Sequence, residues 1–354
     1  MPNSVDSSTS IVAPSTRTRF AGPIWTLILL APFIAEVLSG STRLNVLFVY
    51  IPEVMVWGVG ALFCRELARR WRAGGTSLLL LGLALSIAEE FLIQQTSIAP
   101  VPFPGSHADY GRVWGVNLVY LLFMLGFESV WVVVVPVQVT ELMFPRRSRE
   151  PWLRTRGIIV CSGVFLLGCR GAWYGWTQQA RARLGAAAYH PPAALLAVGI
   201  ASILALIGLA YLLRGFGQVA EGDRRRAAPP WVAGVTAFVT GLGWFFIITQ
   251  IFVPKPVQPY WLVLLMGIGW ALVTFALFTA WASRGEWSTM HRYSAAFGAT
   301  LGCMAAPYLS IASWSKPDLI ALIVFHLFAL AGFTLLGRKV LRHETARELD
   351  SVLS

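Results

Sequence analysis

Stretches of about twenty apolar residues recur along the chain, separated by short polar segments. Each is long enough to cross about 30 Å of hydrocarbon as a helix rising about 1.5 Å per residue. Ten such spans are legible, near 23–40, 45–64, 77–98, 113–143, 157–176, 192–213, 231–253, 259–282, 293–313 and 318–338. The fourth is too long for one straight crossing. Pro136 inside it predicts a kinked or strongly tilted helix, or one that projects beyond the bilayer. The pattern predicts an all-α fold, a polytopic transmembrane helix bundle.

The polar segments are too short for a soluble domain. Residues 1–19, rich in Ser and Thr, read as a disordered cytoplasmic tail. Residues 20–213 hold the first six spans, 214–230 form a basic cytoplasmic loop, 231–340 hold the last four spans and 341–354 form a second tail. The loop 99–112 carries Pro100, Pro102 and Pro104, which favour an extended lid. The loop 177–191 predicts a short interfacial helix with Arg181 and Arg183. The first span is long, contains Glu36 and lacks a clear small-residue cleavage site, so it is expected to be retained.

Composition and charge sharpen this picture. Of 354 residues, 56% are hydrophobic and 13% charged, where soluble domains carry about 25% charged. The net charge of +11 would suit nucleic acid, but its placement argues otherwise. All the Lys and Arg except Arg43, Arg112, Arg170, Arg181, Arg183, Lys255 and Lys316 fall on segments that are cytoplasmic if the N-terminus is cytoplasmic. This positive-inside alternation supports ten spans with both termini cytoplasmic in a bacterial plasma (inner) membrane. The expected partners are membrane lipids, whose anionic heads suit the basic loops, and no nucleic acid. Cys64, Cys161, Cys169 and Cys303 lie in or beside spans without metal-ligand spacing and read as small hydrophobes. Trp25, Trp114, Trp152, Trp231, Trp261, Trp287 and Trp314 near span ends read as an aromatic belt. Ser294, Gly298, Gly302 and Ala306 make a small-residue stripe suited to close helix approach, either within the chain or in an oligomer. No nucleotide, haem or zinc motif and no serine-hydrolase elbow is present.

The candidate chemistry is a polar layer inside the membrane. Glu89 and Glu90 are adjacent in the third span, and a charged carboxylate at such depth costs at least about 2.5–3.5 kcal/mol. By helix rise, Glu36, Glu89, Glu90 and Arg170 lie at a similar height just beyond the midplane. Glu53 and His326 lie in the outer half, and Glu128 near the middle of the fourth span. Ser86, Glu90 and Gln94 share one helical face, and Asn117 and Glu128 another. Five glutamates face one Arg and one His. Arg170 can neutralise one carboxylate; the others must be protonated, hydrogen-bonded or bound to a cation. A proton relay, an acid/base pair or a hard-cation site held by Glu89, Glu90 and Glu128 each fits this excess. Glu141, near the inner surface, reads as solvated.

PFIAEVLSGSTR (32–43), RELARRW (65–71), YGRVWGVN (110–117) and FPRRSREPWL (144–153) resemble a group of uncharacterised polytopic bacterial membrane proteins, over about the first 155 residues. The resemblance implies no known activity. The Glu89–Glu90 pair, with a polar residue on the next helix, is similar to the CPBP intramembrane proteases. There a Glu pair and His residues activate water for peptide hydrolysis. In this chain the Arg four residues after the pair is replaced by Gln94, and Glu128 stands where a His is expected. Three functions follow as alternatives: a proton- or cation-linked transporter of a small molecule or lipid, a CPBP-like hydrolase that is active or inactive, and a structural accessory protein.

Overall fold

A computed structural model describes residues 21–100, 109–219, 225–252, 256 and 258–353. Ten long helices follow one another in it: α1 (Gly22–Val37), α2 (Leu44–Arg70), α3 (Gly75–Ile93), α4 (Leu118–Met143), α5 (Thr155–Arg183), α6 (Ala193–Leu212), α7 (Pro230–Phe252), α8 (Tyr260–Ala282), α9 (Thr289–Ala305) and α10 (Lys316–Leu353). Eight of them are long and apolar enough to cross a membrane; α1 and α9 fall short of that length. The only strands among the described residues are a two-residue hairpin, Arg112–Val113 paired antiparallel with Val116–Asn117.

The helices alternate in direction, as short connections require. At one end the Gly74 amide donates to the Arg214 carbonyl, Lys339 Nζ to the Met143 carbonyl, and an Arg284 guanidinium N–H to the Arg226 carbonyl. At the other, Arg181 donates to the Pro100 carbonyl and the Tyr110 hydroxyl to the Gln258 carbonyl. The first end carries most of the arginine. The start of α1 and the end of α10 both lie there.

Burial orders the helices. Within its most apolar window 72% of α3 is buried, against 6% for α5 and 11% for α6 and α8. So α3 is the most enclosed helix, packed by α6, α4 and α2, while α5, α6 and α8 also turn apolar faces outward. Close approach is made by glycine. A methyl at Gly298 would collide with the Gly234 carbonyl, and one at Gly58 with the Ile28 carbonyl. The small-residue stripe of α9 therefore packs against α7 of the same chain, one of the two uses its spacing allows. Indole donors lock these contacts: Trp131 to the Ala299 carbonyl at 2.9 Å and Trp244 to the Phe123 carbonyl at 2.9 Å.

Several boundaries differ from the expectation. The fourth helix begins at Leu118, because 112–117 form the hairpin, with Trp114 (φ +50°) and Gly115 (φ +83°) at its turn. Upstream of Pro136 this helix widens into a π turn, Glu128–Val134, which accommodates a position with no amide to donate. The interfacial helix expected around 178–188 is the end of α5. Residues 341–353, expected as a tail, continue α10. The N-terminal tail and most of the Pro-rich lid lie outside the described residues. Of the belt tryptophans, Trp25, Trp114, Trp231 and Trp261 are exposed, whereas Trp152 is buried.

Candidate functional site

Each of the five glutamates of the layer sits in or beside a π turn. Glu36 lies in Phe33–Val37, Glu53 immediately precedes Val54–Gly58, Glu89 and Glu90 open Glu89–Ile93, and Glu128 opens Glu128–Val134. In these turns the amide reaches back five residues, as from Gln94 to the Glu89 carbonyl at 2.9 Å and from Leu38 to the Phe33 carbonyl at 3.0 Å. The extra residue breaks the α-helical phase and re-aims side chains, which is why such turns concentrate at functional sites.

Helix packing brings four of these turns together. Glu128 lies within electrostatic range of Glu89, Glu90 and Glu36, and Glu36 within range of Glu53 and Glu89. Glu53, Glu89, Glu90 and Glu128 are buried; Glu36 is half-buried at the edge. Among the described residues none of the five forms an ion pair.

Their hydrogen bonding is uneven. Glu90 Oε2 accepts from the Thr96 hydroxyl at 2.7 Å and from the Ser97 hydroxyl. Glu53 Oε1 accepts from the Thr42 hydroxyl at 2.5 Å. Glu89 accepts nothing: both its carboxyl oxygens are buried without a hydrogen bond. Glu53 Oε2 and Glu128 Oε2 are also unbonded, and the Ser86 hydroxyl faces Glu128. Among the described residues no three His, Cys, Asp or Glu stand close enough to hold a metal ion, so Glu89, Glu90 and Glu128 are not arranged as a cation cage.

The donors to Glu90 come from a segment with no helical pattern. Residues 95–99 turn back into the bundle and are buried, with Gln95 at φ +62°, an uncommon conformation for a residue other than glycine. Arg112 covers this plug, donating to the Ile98 carbonyl at 3.0 Å and the Ala99 carbonyl at 2.9 Å. Burial lowers the Arg112 guanidinium from its ordinary value, and the Asp109 carboxylate opposes that. The Asn117 amide donates to the Ser97 carbonyl at 2.8 Å. The Tyr120 hydroxyl stands beside Thr96, in range of Glu90 and Glu128. Thr96, Ser97, Arg112 and Tyr120 were not singled out by spacing, because a buried loop has no period.

The remaining sequence candidates do other work. Asn117 caps α4, its Oδ1 accepting from the Tyr120 amide at 2.9 Å. Gln94 is half-buried and out of phase with Glu90, because the π turn intervenes. Arg170 does not neutralise a carboxylate: it is exposed and stacks on Trp173 at 4.8 Å and Tyr174 at 5.5 Å. Outward-facing α5 carries it away from the layer. His326 is buried apart from the glutamates. Its Nε2 donates to the Leu38 carbonyl at 2.9 Å, which leaves Nδ1 of the neutral ring to accept from the Tyr308 hydroxyl at 2.9 Å.

A second polar cluster lies at the arginine-rich end, and it corrects the solvated reading of Glu141. That carboxylate is buried and bound by Arg65 at 3.1 Å, Arg69 at 2.7 Å and Arg292 at 3.1 Å. Arg65 also donates to the Arg147, Ser148 and Glu150 carbonyls and stacks on Trp152, and Glu66 accepts from the Trp152 and Leu153 amides. RELARRW and FPRRSREPWL thus meet in one clamp that pins the 144–154 loop to α2. Here every buried charge has its partner; in the glutamate layer none has.

A family model described as an uncharacterized membrane protein family matches residues 26–338. The chain belongs to that family. No curated protein and no solved structure matches it. The matched region spans both the glutamate layer and the arginine clamp. The family and the eight helices of membrane-crossing length together support a multi-pass membrane location.

Proposed function

We propose that this family member is a proton-linked transporter of a small molecule or lipid, with the buried carboxyl layer as its proton site. One observation carries the reading. Glu89 is buried within range of three other carboxyls, Glu36, Glu90 and Glu128, with no hydrogen bond on either oxygen and no cation-bearing side chain paired to it among the described residues. A carboxylate in that setting is strongly disfavoured, whereas the neutral acid is tolerated. The layer therefore changes charge by taking up and releasing protons, and the π turns that carry it are local departures from a rigid helix. The positive-inside pattern supports an orientation with both termini cytoplasmic and ten crossings of a bacterial inner membrane.

A CPBP-like hydrolase is the weaker alternative. Among the described residues no histidine stands in the layer, and both nitrogens of His326 are engaged elsewhere.

Fast pH steps on protein reconstituted in membranes adsorbed to an electrode read the charge that moves with protonation. The wild type is expected to give a transient charge displacement, and Glu89→Gln and Glu90→Gln, folded to the same melting profile, to lose most of it. Undiminished displacement in both variants would overturn the reading.

A further inference from the structure

Helix α10 is far longer than a bilayer needs. Its lipid-facing stripe begins with Ile320, Val324, Phe328 and Leu335, all exposed and spaced at four or seven residues. From Lys316, Leu335 lies about 28 Å along the helix, close to the thickness of the hydrocarbon. The next positions on the same face are Arg338, Lys339, Arg342 and His343, at about 33–40 Å, the level of the phosphate groups. These four and Leu335 line a groove of about 510 Å³. Lys339 Nζ, donating to the Met143 carbonyl at 2.7 Å, ties its floor to the end of α4.

We infer that this groove is a binding site for an anionic phospholipid, with the phosphate held by Arg338, Arg342 and Lys339 and an acyl chain running down past Leu335 and Phe328. Two features point to a lipid and not to a free anion. The basic and apolar positions form one continuous face, and the change between them falls at the depth where a phospholipid itself changes from acyl chain to phosphate. The site is independent of the proton reading: it lies on the outer face of the bundle, and none of its residues belongs to the glutamate layer.

The test is titration of the full-length protein in detergent with phosphatidylglycerol, phosphatidylcholine and inorganic phosphate, read by native mass spectrometry. Phosphatidylglycerol is expected to bind preferentially. Each of Arg338→Gln and Arg342→Gln should weaken it about fivefold, and Arg338→Lys should restore most of the loss. Leu335→Gln should weaken the lipid as well, by disturbing the acyl path. All these positions are exposed, and unchanged melting in phosphatidylcholine reports that the variants fold. Equal binding of the two lipids, or full phosphatidylglycerol binding by the double variant Arg338→Gln/Arg342→Gln, would overturn the proposal. So would phosphate that competes with the lipid at millimolar concentration and binds Leu335→Gln as it binds the wild type, since the groove would then hold an anion without its chain.

Discussion

Glu89 and Glu141 are both buried glutamates in the same bundle, and their surroundings give them opposite chemistry. Glu141 answers three guanidinium groups, so Glu141→Gln leaves the arginines of the clamp without their counter-charge. The expected cost is about 3–5 kcal/mol, read as a large drop in melting temperature in detergent. Glu89 answers nothing. Glu89→Gln replaces an unbonded acid by a neutral group of the same shape and is expected to leave melting at acidic pH unchanged or slightly raised. Ser97→Ala removes one of two hydroxyls that bond Glu90 and should cost about 1–3 kcal/mol in the same assay. The sequence carries the difference between Glu89 and Glu141 only in part. Glu89 and Glu90 stand out because nothing within their span is basic. Glu141 looked solvated because it lies near the span end, and only the fold brings Arg65 and Arg292 to it. Arg170 differs in the reverse direction: it lies on the outward face of α5, where it stacks on Trp173 and Tyr174 and, among the described residues, meets no carboxylate.

At the scale of the helix, apolar length was enough to locate the helices, because a chain in hydrocarbon must close its backbone hydrogen bonds internally, and eight of them are long and apolar enough to cross a membrane. What length does not reveal is where a helix departs from α geometry. The π turns at Glu36, Glu53, Glu89 and Glu128 shift the phase of everything beyond them, so a stripe drawn through Ser86, Glu90 and Gln94 at constant period fails after Glu90. The small-residue stripe was legible; its partner, α7, was not, since spacing names a face and not a neighbour. Gly298→Val is expected to force α9 away from the Gly234 carbonyl and to abolish most folded yield in purified membranes. Gly269→Ala, where the added methyl meets open space, should yield as the wild type does.

At the scale of the whole molecule, two polar layers stacked along one axis define the account. The arginine clamp fixes one end of α2, α4 and α9, while the glutamate layer nearer the other end is closed by the 95–99 plug and lacks any fixed counter-charge. The orientation of this axis is testable by impermeant thiol labelling of intact cells, in a background where Cys161 and Cys169 are replaced by alanine. Ala188→Cys should label from outside, and Ser148→Cys only after the membrane is opened. The central claim is that the glutamate layer binds protons and is not merely glue between helices. Melting of the purified protein in detergent from pH 5 to 9, wild type against Glu89→Gln, with and without Mg²⁺, Mn²⁺ or Ca²⁺, tests it most directly. A buried neutral acid holds a proton that the unfolded chain releases, so stability falls as pH rises. The account predicts that wild-type melting declines across this range, that Glu89→Gln flattens the decline, and that the cations change neither curve. A variant that melts lower than wild type by the same amount at every pH would contradict it and make the layer structural.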